Sequence, residues 1–281
     1  MKEPSVFERI GKLRTVVFEK TGTVTVGEYE VTDIIPVEGT EEEVLQRAAS
    51  VNYFSSDVLA DGLVKSAKQR KLQALPAEKF ERVPGKGVQA VINGMKVSVG
   101  SYEFLRDAGI PVGVSVKARA VELAKEGKVI LFVISGRVFS GIIALYDSPR
   151  PEAKEAIMLL KELGILPVLL SGDSEEATKR LADELSVETY VPKVTLEKRI
   201  SKIKDLQETG HLVGFVQNSP EVSIFGTADI SILMGGTSGA STEKSLVIGD
   251  DPREIAYVIT RARSAEKTFV KKLIGFLSYS K

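Results

Sequence analysis

The sequence predicts an α/β protein, a doubly wound parallel sheet that carries an inserted α+β domain. Three observations predict it. After Asp147, apolar strands and amphipathic helices alternate, the pattern of a parallel sheet with helices on both faces. Between about residues 36 and 142, short strands are instead separated by Gly and Asn turns. Asn93-Gly94 is a hairpin signal there, which argues for an antiparallel sheet. Residues 15–18 have the unbroken apolar character of a central parallel strand. They are expected to join the later sheet, which makes the middle of the chain an insertion.

Taken in order, residues 13–18 and 30–36 read as strands, and residues 41–51 and 56–71 as helices. In the second helix Val58, Leu59, Leu63, Val64 and Ala67 recur at helical spacing. Short strands are predicted at 80–83, 87–92, 96–99, 129–135 and 137–145, with a helix at 118–126. A helix at 151–163 has proline at its start and Gly164 at its end. Strands at 166–170, 190–191, 212–216 and 230–234 then alternate with helices at 175–185 and 196–207. The expected division is residues 1–35 with 143–281 for the parallel-sheet domain and 36–142 for the insert.

Composition narrows the chemistry. The 281 residues hold 38 Lys plus Arg against 38 Asp plus Glu, so no net field argues for a nucleic-acid partner. With no cysteine, disulfides, thiolate zinc sites and cysteine nucleophiles are excluded. His211 is the one histidine, so histidine triads and multi-histidine metal sites are not expected; it reads as a surface or cap residue before the strand at 212–216. No apolar run reaches the roughly 18–20 residues that span a bilayer, and residues 1–4 lack the apolar segment of a signal peptide. Residues 269–277 turn basic and then apolar, which reads either as a final packed helix or as a segment heading into a membrane.

Ligands of open parallel sheets sit outside the carboxyl ends of the strands. Three predicted strand ends carry polar groups: Glu19-Lys20-Thr21, Ser171-Gly172-Asp173 and Gln217-Asn218-Ser219, with Lys198 on the intervening helix. A carboxylate nucleophile, a hydroxyl, a lysine and a metal-facing group are the parts of an acyl-phosphate site. The glycine turn after Glu19 supplies backbone N–H groups for phosphoryl oxygens.

The string Glu19-Lys20-Thr21-Gly22-Thr23 closely resembles the "DKTGT" phosphorylation motif of P-type ATPases. Other segments carry the same likeness: Asp147-Ser148-Pro149-Arg150-Pro151-Glu152-Ala153 resembles "D-x-x-R-P-E-A", Ser171-Gly172-Asp173 resembles "T-G-D", Thr195-Leu196-Glu197-Lys198 resembles "P-E-D-K", and 228–235 resembles "A-D-V-G-I-A-M-G". The chain resembles, over nearly its whole length, the catalytic part of a heavy-metal-transporting P-type ATPase. The resemblance implies a haloacid-dehalogenase-like phosphorylation domain with an inserted nucleotide-binding domain, and ATP and Mg²⁺ as cofactors. It implies phosphoryl transfer to Glu19, with Lys20, Thr21, Ser171, Gly172 and Lys198 around the phosphate and Glu19, Thr21 and Asn218 toward the metal. In the insert, Gly85 and Gly87 match the glycine motif that lets backbone approach ATP, beside Asn52 and Asp57. Ion choice is made outside this stretch, and copper follows from class likeness alone. The same likeness implies a longer natural chain at the cytoplasmic face of a membrane, with transmembrane and actuator parts as partners.

Four positions depart from that pattern. Glu19 stands where the family has aspartate, and one methylene moves a carboxylate by roughly 1–1.5 Å, a displacement on a scale that can cost on the order of 100-fold in rate. The "G-D-G-x-N-D" loop is replaced by residues 216–221, and Asn218 brings a neutral amide where magnesium prefers charged oxygen. Asp57 stands for the histidine of "S-E-H-P-L-A", and Asn52 for an upstream glutamate. Two expectations follow: an ATP-driven enzyme phosphorylated on Glu19, or a catalytically silent core that binds nucleotide or regulates.

Overall fold

The computed structural model describes residues 6–218, 224, 226–235 and 244–278, with the backbone alone for 266, 267 and 269–278. Contacts divide the chain into two units, Met1–Val26 with Pro149–Lys281, and Gly27–Ser148.

The first unit is built on a six-stranded sheet in the order β12-β11-β10-β1-β8-β9. Its strands are β1 (Leu13–Glu19), β8 (Leu166–Leu170), β9 (Thr189–Val191), β10 (Leu212–Gln217), β11 (Ile230–Leu233) and β12 (Ser245–Val247). Every pairing in it is parallel. Both faces are covered, and β1 shows why Val16, Val17 and Phe18 are apolar in succession. Val16 and Phe18 pack on one face with Ile157, Leu160, Ala182 and Ile259. Val17 packs on the other with Val168, Phe215 and Ile203. Helices α1 (Val6–Gly11), α6 (Ala153–Glu162), α7 (Glu175–Leu185) and α9 (Arg253–Ser278) supply the first layer, and α8 (Leu196–Gln207) the second. Arg263 on α9 ties that layer to the sheet by donating to the carbonyls of Gly11, Leu163 and Leu13 at 2.9, 2.6 and 3.1 Å.

Helix boundaries follow local chemistry. The Ser174 hydroxyl accepts from the Ala177 N–H at 3.2 Å to start α7. Gly164, at φ +70°, ends α6 in the left-handed conformation glycine adopts without cost. Among the described residues, no helix is long and apolar enough to cross a membrane; the side chains of 269–277 lie outside the described residues.

The second unit is a six-stranded sheet in the order β2-β7-β6-β5-β4-β3, antiparallel from β3 to β7. Its strands are β2 (Thr25–Pro36), β3 (Ala77–Val83), β4 (Gly87–Ile92), β5 (Met95–Gly100), β6 (Val129–Ser135) and β7 (Val138–Pro149). Helices α2 (Glu41–Asn52) and α3 (Val58–Gln69) bury Val44, Leu45 and Leu63 against one face. Helices α4 (Tyr102–Asp107) and α5 (Val114–Lys125) bury Leu105 and Leu123 against the other.

The dividing lines expected at 35/36 and 142/143 differ from the contact division at 26/27 and 148/149. The reason is the length of β2 and β7. Both run 12 residues and pair side by side, so residues 27–35 and 143–148 belong to the second sheet.

Candidate functional site

From β1 the chain adds β8 and β9 on one side of the first sheet and then returns to lay β10, β11 and β12 on the other. The strand order therefore reverses beside β1, and the crevice outside the carboxyl ends of β1 and β10 is where such sheets hold ligands. Glu19 ends β1 and Gln217 ends β10.

The turn after Glu19 is held from several sides. Thr21 is extended (φ −70°, ψ 124°), and Gly22 is left-handed at φ +75°. A Cβ on Gly22 would lie 2.6 Å from the Asn218 side chain, so glycine is required both by φ and by the approach of Asn218. The Thr23 hydroxyl donates to the Glu19 carbonyl, and the Thr25 hydroxyl donates to the Lys20 carbonyl at 2.9 Å. Arg150 braces the same turn, its Nη2 donating to the Gly22 carbonyl at 3.3 Å and its N–H to the Val24 carbonyl at 2.9 Å.

Two ion pairs organise the charge. Arg199 Nη1 lies 2.6 Å from Glu19 Oε1, with the two side chains 21% and 22% exposed. Lys20 Nζ lies 2.6 Å from Asp173 Oδ2. Ser171 is buried at the end of β8, and its hydroxyl accepts from the Asp173 N–H at 3.1 Å. Gly172 between them is exposed. Gln217 is fully buried, and its side-chain oxygen and nitrogen have no partner among the described residues.

Lys198, expected at the phosphate, is exposed on α8, and its N–H donates to the capping Thr195 hydroxyl at 3.4 Å. The cation that meets Glu19 is its neighbour Arg199. Successive residues on a helix point about 100° apart, so the phase of α8 chooses between them. Leu196, Ile200 and Ile203 form its packed stripe, and position 199 continues that stripe at i+3 from Leu196 while position 198 falls off it. That spacing is legible in the sequence and was the signal for Arg199.

The second unit contains a cleft of about 360 Å³. Asn52, Asp57, Gly85 and Gly87, drawn from α2, the start of α3 and the turn into β4, all line it, together with Arg82 and Ser101. Asn52 is buried and donates through Nδ2 to the Ala48 carbonyl at 2.9 Å. Asp57 caps α3, accepting from the Leu59 N–H at 3.0 Å. Gly87 pairs with Gly100 across β4 and β5. A Cβ on Gly87 would meet the Val99 carbonyl oxygen at 2.2 Å, whereas one on Gly85 would meet nothing within 4 Å. Gly87 is thus a packing requirement, and Gly85 leaves open space on the cleft side.

The profile of haloacid dehalogenase-like hydrolases matches residues 13–221. The chain belongs to that family. A relative, copper-exporting P-type ATPase B of Archaeoglobus fulgidus, is 32% identical over 285 residues, covering 100% of this chain and 40% of that protein. Among solved structures, a zinc-transporting PIB-type ATPase in the E2.Pi state aligns with a TM-score of 0.72 at 28% identity, covering 95% of this chain and 43% of that one. The catalytic CPx-ATPase domain CopB-B aligns with a TM-score of 0.70 at 25% identity, covering 92% of each chain. The relatives and structural neighbours of this haloacid dehalogenase-like chain are therefore heavy-metal P-type ATPases and their catalytic domains. It spans only 40% of the length of the Archaeoglobus relative.

The family's use of Mg²⁺ can be tested against the donors at the Glu19 site. They are one carboxylate already paired with Arg199, the Thr21 hydroxyl, and the neutral amide of Asn218 beside Gly22. Asp173, the next carboxylate along the strand ends, is held by Lys20. Among the described residues no group of three or more His, Cys, Asp or Glu side chains could hold a metal ion. Magnesium demands hard, charged oxygens in near-ideal octahedral geometry, and these donors do not fit it. Ser219, Pro220 and Glu221 of the replaced loop lie outside the described residues.

Proposed function

We propose that this chain is the nucleotide-binding and phosphorylation region of a heavy-metal P-type ATPase, at the cytoplasmic face of a membrane. In this reading ATP binds the cleft of the second unit and Glu19 is the phosphoryl-accepting position. One observation carries the reading: four residues picked out by their likeness to a nucleotide site, from three separate segments, line one cleft. The cleft suits a nucleotide in size, and the open space at Gly85 lets backbone approach it. The transmembrane and actuator parts of a longer chain are the partners, and the exported ion, copper by the name of the Archaeoglobus relative, binds outside this region.

The chemistry at Glu19 would be an in-line displacement. A carboxylate oxygen of Glu19 bonds to the γ-phosphorus, the bond from that phosphorus to the β–γ bridging oxygen breaks, and ADP leaves with the electron pair. The carboxylate is ionised, so no proton moves in this step. Lys20 and Arg199 are the cations on hand for the charge. Thr21 occupies the place of the acid/base carboxylate that phosphatases of this fold use, so hydrolysis of the acyl phosphate would be slow.

A second reading, a silent core that binds nucleotide without phosphoryl transfer, is favoured by the Arg199–Glu19 pair itself, which neutralises the nucleophile at 2.6 Å. Two measurements separate them. Calorimetric titration with ATP is expected to show binding that weakens at least tenfold in Gly85→Ala; no binding to the wild-type chain would sink both readings. Incubation with γ-labelled ATP, acid quench and hydroxylamine treatment is expected to give a labile label that vanishes in Glu19→Ala. Binding without label selects the silent core.

A further inference from the structure

We propose that Arg82 anchors the polyphosphate of the nucleotide in the cleft of the second unit, and that Asp57 at the start of α3 repels the same phosphates, so that the two charges set which way round the nucleotide lies. The inference rests on the reading of that cleft as a nucleotide site and names the residues that orient its ligand.

Strand pairing decides where Arg82 points. It lies opposite Val88 across β3 and β4, and Val88 lies opposite Val99 across β4 and β5. Residues directly opposite in an antiparallel pair share a face of the sheet. Val88 and Val99 are buried in the core that packs α2 and α3, so the arginine stem rises on the helix side. There its Nη2 donates to the hydroxyl of Ser55, in the connection between α2 and α3, at 3.2 Å. Val88, Val99, Val129 and Leu131 give the same cleft an apolar lining. That lining suits the flat face of a base and offers nothing to a phosphate.

The charged residues that line the cleft are Asp57, Arg82 and Lys86. Lys86 is already neutralised, its Nζ 2.7 Å from Asp107 Oδ2. Arg82 has no carboxylate partner among the described residues and is held by a neutral hydroxyl alone. A guanidinium stays charged throughout the working range of pH. Phosphate oxygens bind it bidentately, in charge-assisted bonds stronger than the one to a neutral hydroxyl, so they displace Ser55. The Asp57 carboxylate accepts from the Leu59 N–H at 3.0 Å and has no cation paired with it among the described residues. Its charge therefore acts on whatever enters the cleft. An uncharged base feels little of either group, whereas a polyphosphate is drawn toward β3 and pushed away from α3.

The test is calorimetric titration of the 281-residue chain and its variants with ATP, adenosine and inorganic tripolyphosphate. Arg82→Gln is expected to weaken ATP binding about tenfold or more and adenosine binding less than about twofold. Arg82→Lys, which keeps the charge without the fork, is expected to fall between Arg82→Gln and wild type. Asp57→Asn keeps the α3 cap and is expected to tighten ATP about threefold while leaving adenosine unchanged. Equal ATP affinity in wild type and Arg82→Gln would overturn the proposal. So would an equal loss for adenosine, which would make Arg82 a support of the wall and not a phosphate ligand. Unchanged or weaker ATP binding in Asp57→Asn would overturn the orienting role, and that variant decides even where Arg82→Gln does not fold. Tripolyphosphate keeps the two readings apart. A chain that binds ATP equally well with and without Arg82 keeps the nucleotide reading and loses this one. A chain that binds tripolyphosphate through Arg82, but neither ATP nor adenosine, keeps the anchor and loses the nucleotide, and a chain that binds none of the three loses both.

Discussion

Lys20 and Asp173 meet at 2.6 Å, and that contact ties the turn after β1 to the turn after β8. The lysine side chain is 8% exposed and the aspartate 27%, so the two partners lose unequally when the other is removed. Asp173→Ala removes this counter-charge from the buried ammonium and is expected to cost about 3 kcal/mol. Lys20→Met leaves a carboxylate that water can reach and is expected to cost about 1 kcal/mol. Urea unfolding followed by far-ultraviolet circular dichroism measures both, since the chain has no tryptophan. The reverse order of the two losses would show that the lysine does not need its partner.

Arg263 donates to three carbonyls at the start of β1 and the ends of α1 and α6. Burial, with the charge of Arg14, pushes its pKa below the ordinary guanidinium range. Arg263→Met keeps much of the apolar stem and removes all three donors. The expected loss is about 3 kcal/mol, seen as a lowered thermal midpoint, with ATP affinity in the cleft unchanged. A change below about 0.5 kcal/mol would mean that water replaces the guanidinium without cost.

The two glycines of the cleft separate packing from binding. Gly87→Ala forces a Cβ into the Val99 carbonyl at φ +147°, and is expected to destabilise the second unit by about 3 kcal/mol. Gly85→Ala pays only for a left-handed alanine, about 1 kcal/mol. Hydrogen exchange of the β4–β5 amides distinguishes them, with faster exchange expected in Gly87→Ala and near-wild-type exchange in Gly85→Ala.

The second unit also carries an acid-sensitive network. Burial raises the Asp33 pKa, but the Lys128 ammonium at 2.7 Å outweighs it with help from Thr32 and Arg119, and the net shift is downward from 3.8. Glu126 is likewise held below its ordinary 4.5, first by Lys128. A depressed carboxylate contributes stability that is present above its unfolded pKa and lost as pH falls through the folded one. The unit is therefore expected to lose stability progressively as pH drops below about 4. Lys128→Met is expected to flatten that decline; an unchanged acid limb in the variant would remove the network from the account.

Much of the fold was legible because most of its elements are bounded by turn chemistry. The predicted elements at 87–92, 129–135, 166–170, 175–185 and 196–207 coincide with β4, β6, β8, α7 and α8. The misses have physical causes. Strand β2 begins at Thr25, not residue 30, because Gly27 and the exposed Glu28 interrupt the apolar signal before residue 30. Helix α4 has six residues and β12 three, too few for a period to show.

The sequence by itself determined the alternation that makes a doubly wound sheet and the carboxylate at the end of β1, because periodicity and turn residues act locally; the segments that line the cleft were picked out by likeness to family motifs. Only the tertiary structure decided that Lys20 pairs with Asp173 across 153 positions, and that α8 lies where its Arg199 meets Glu19. Strand order and helix phase set those distances, and a charge is chosen by where it is carried in space, not by its neighbours along the chain.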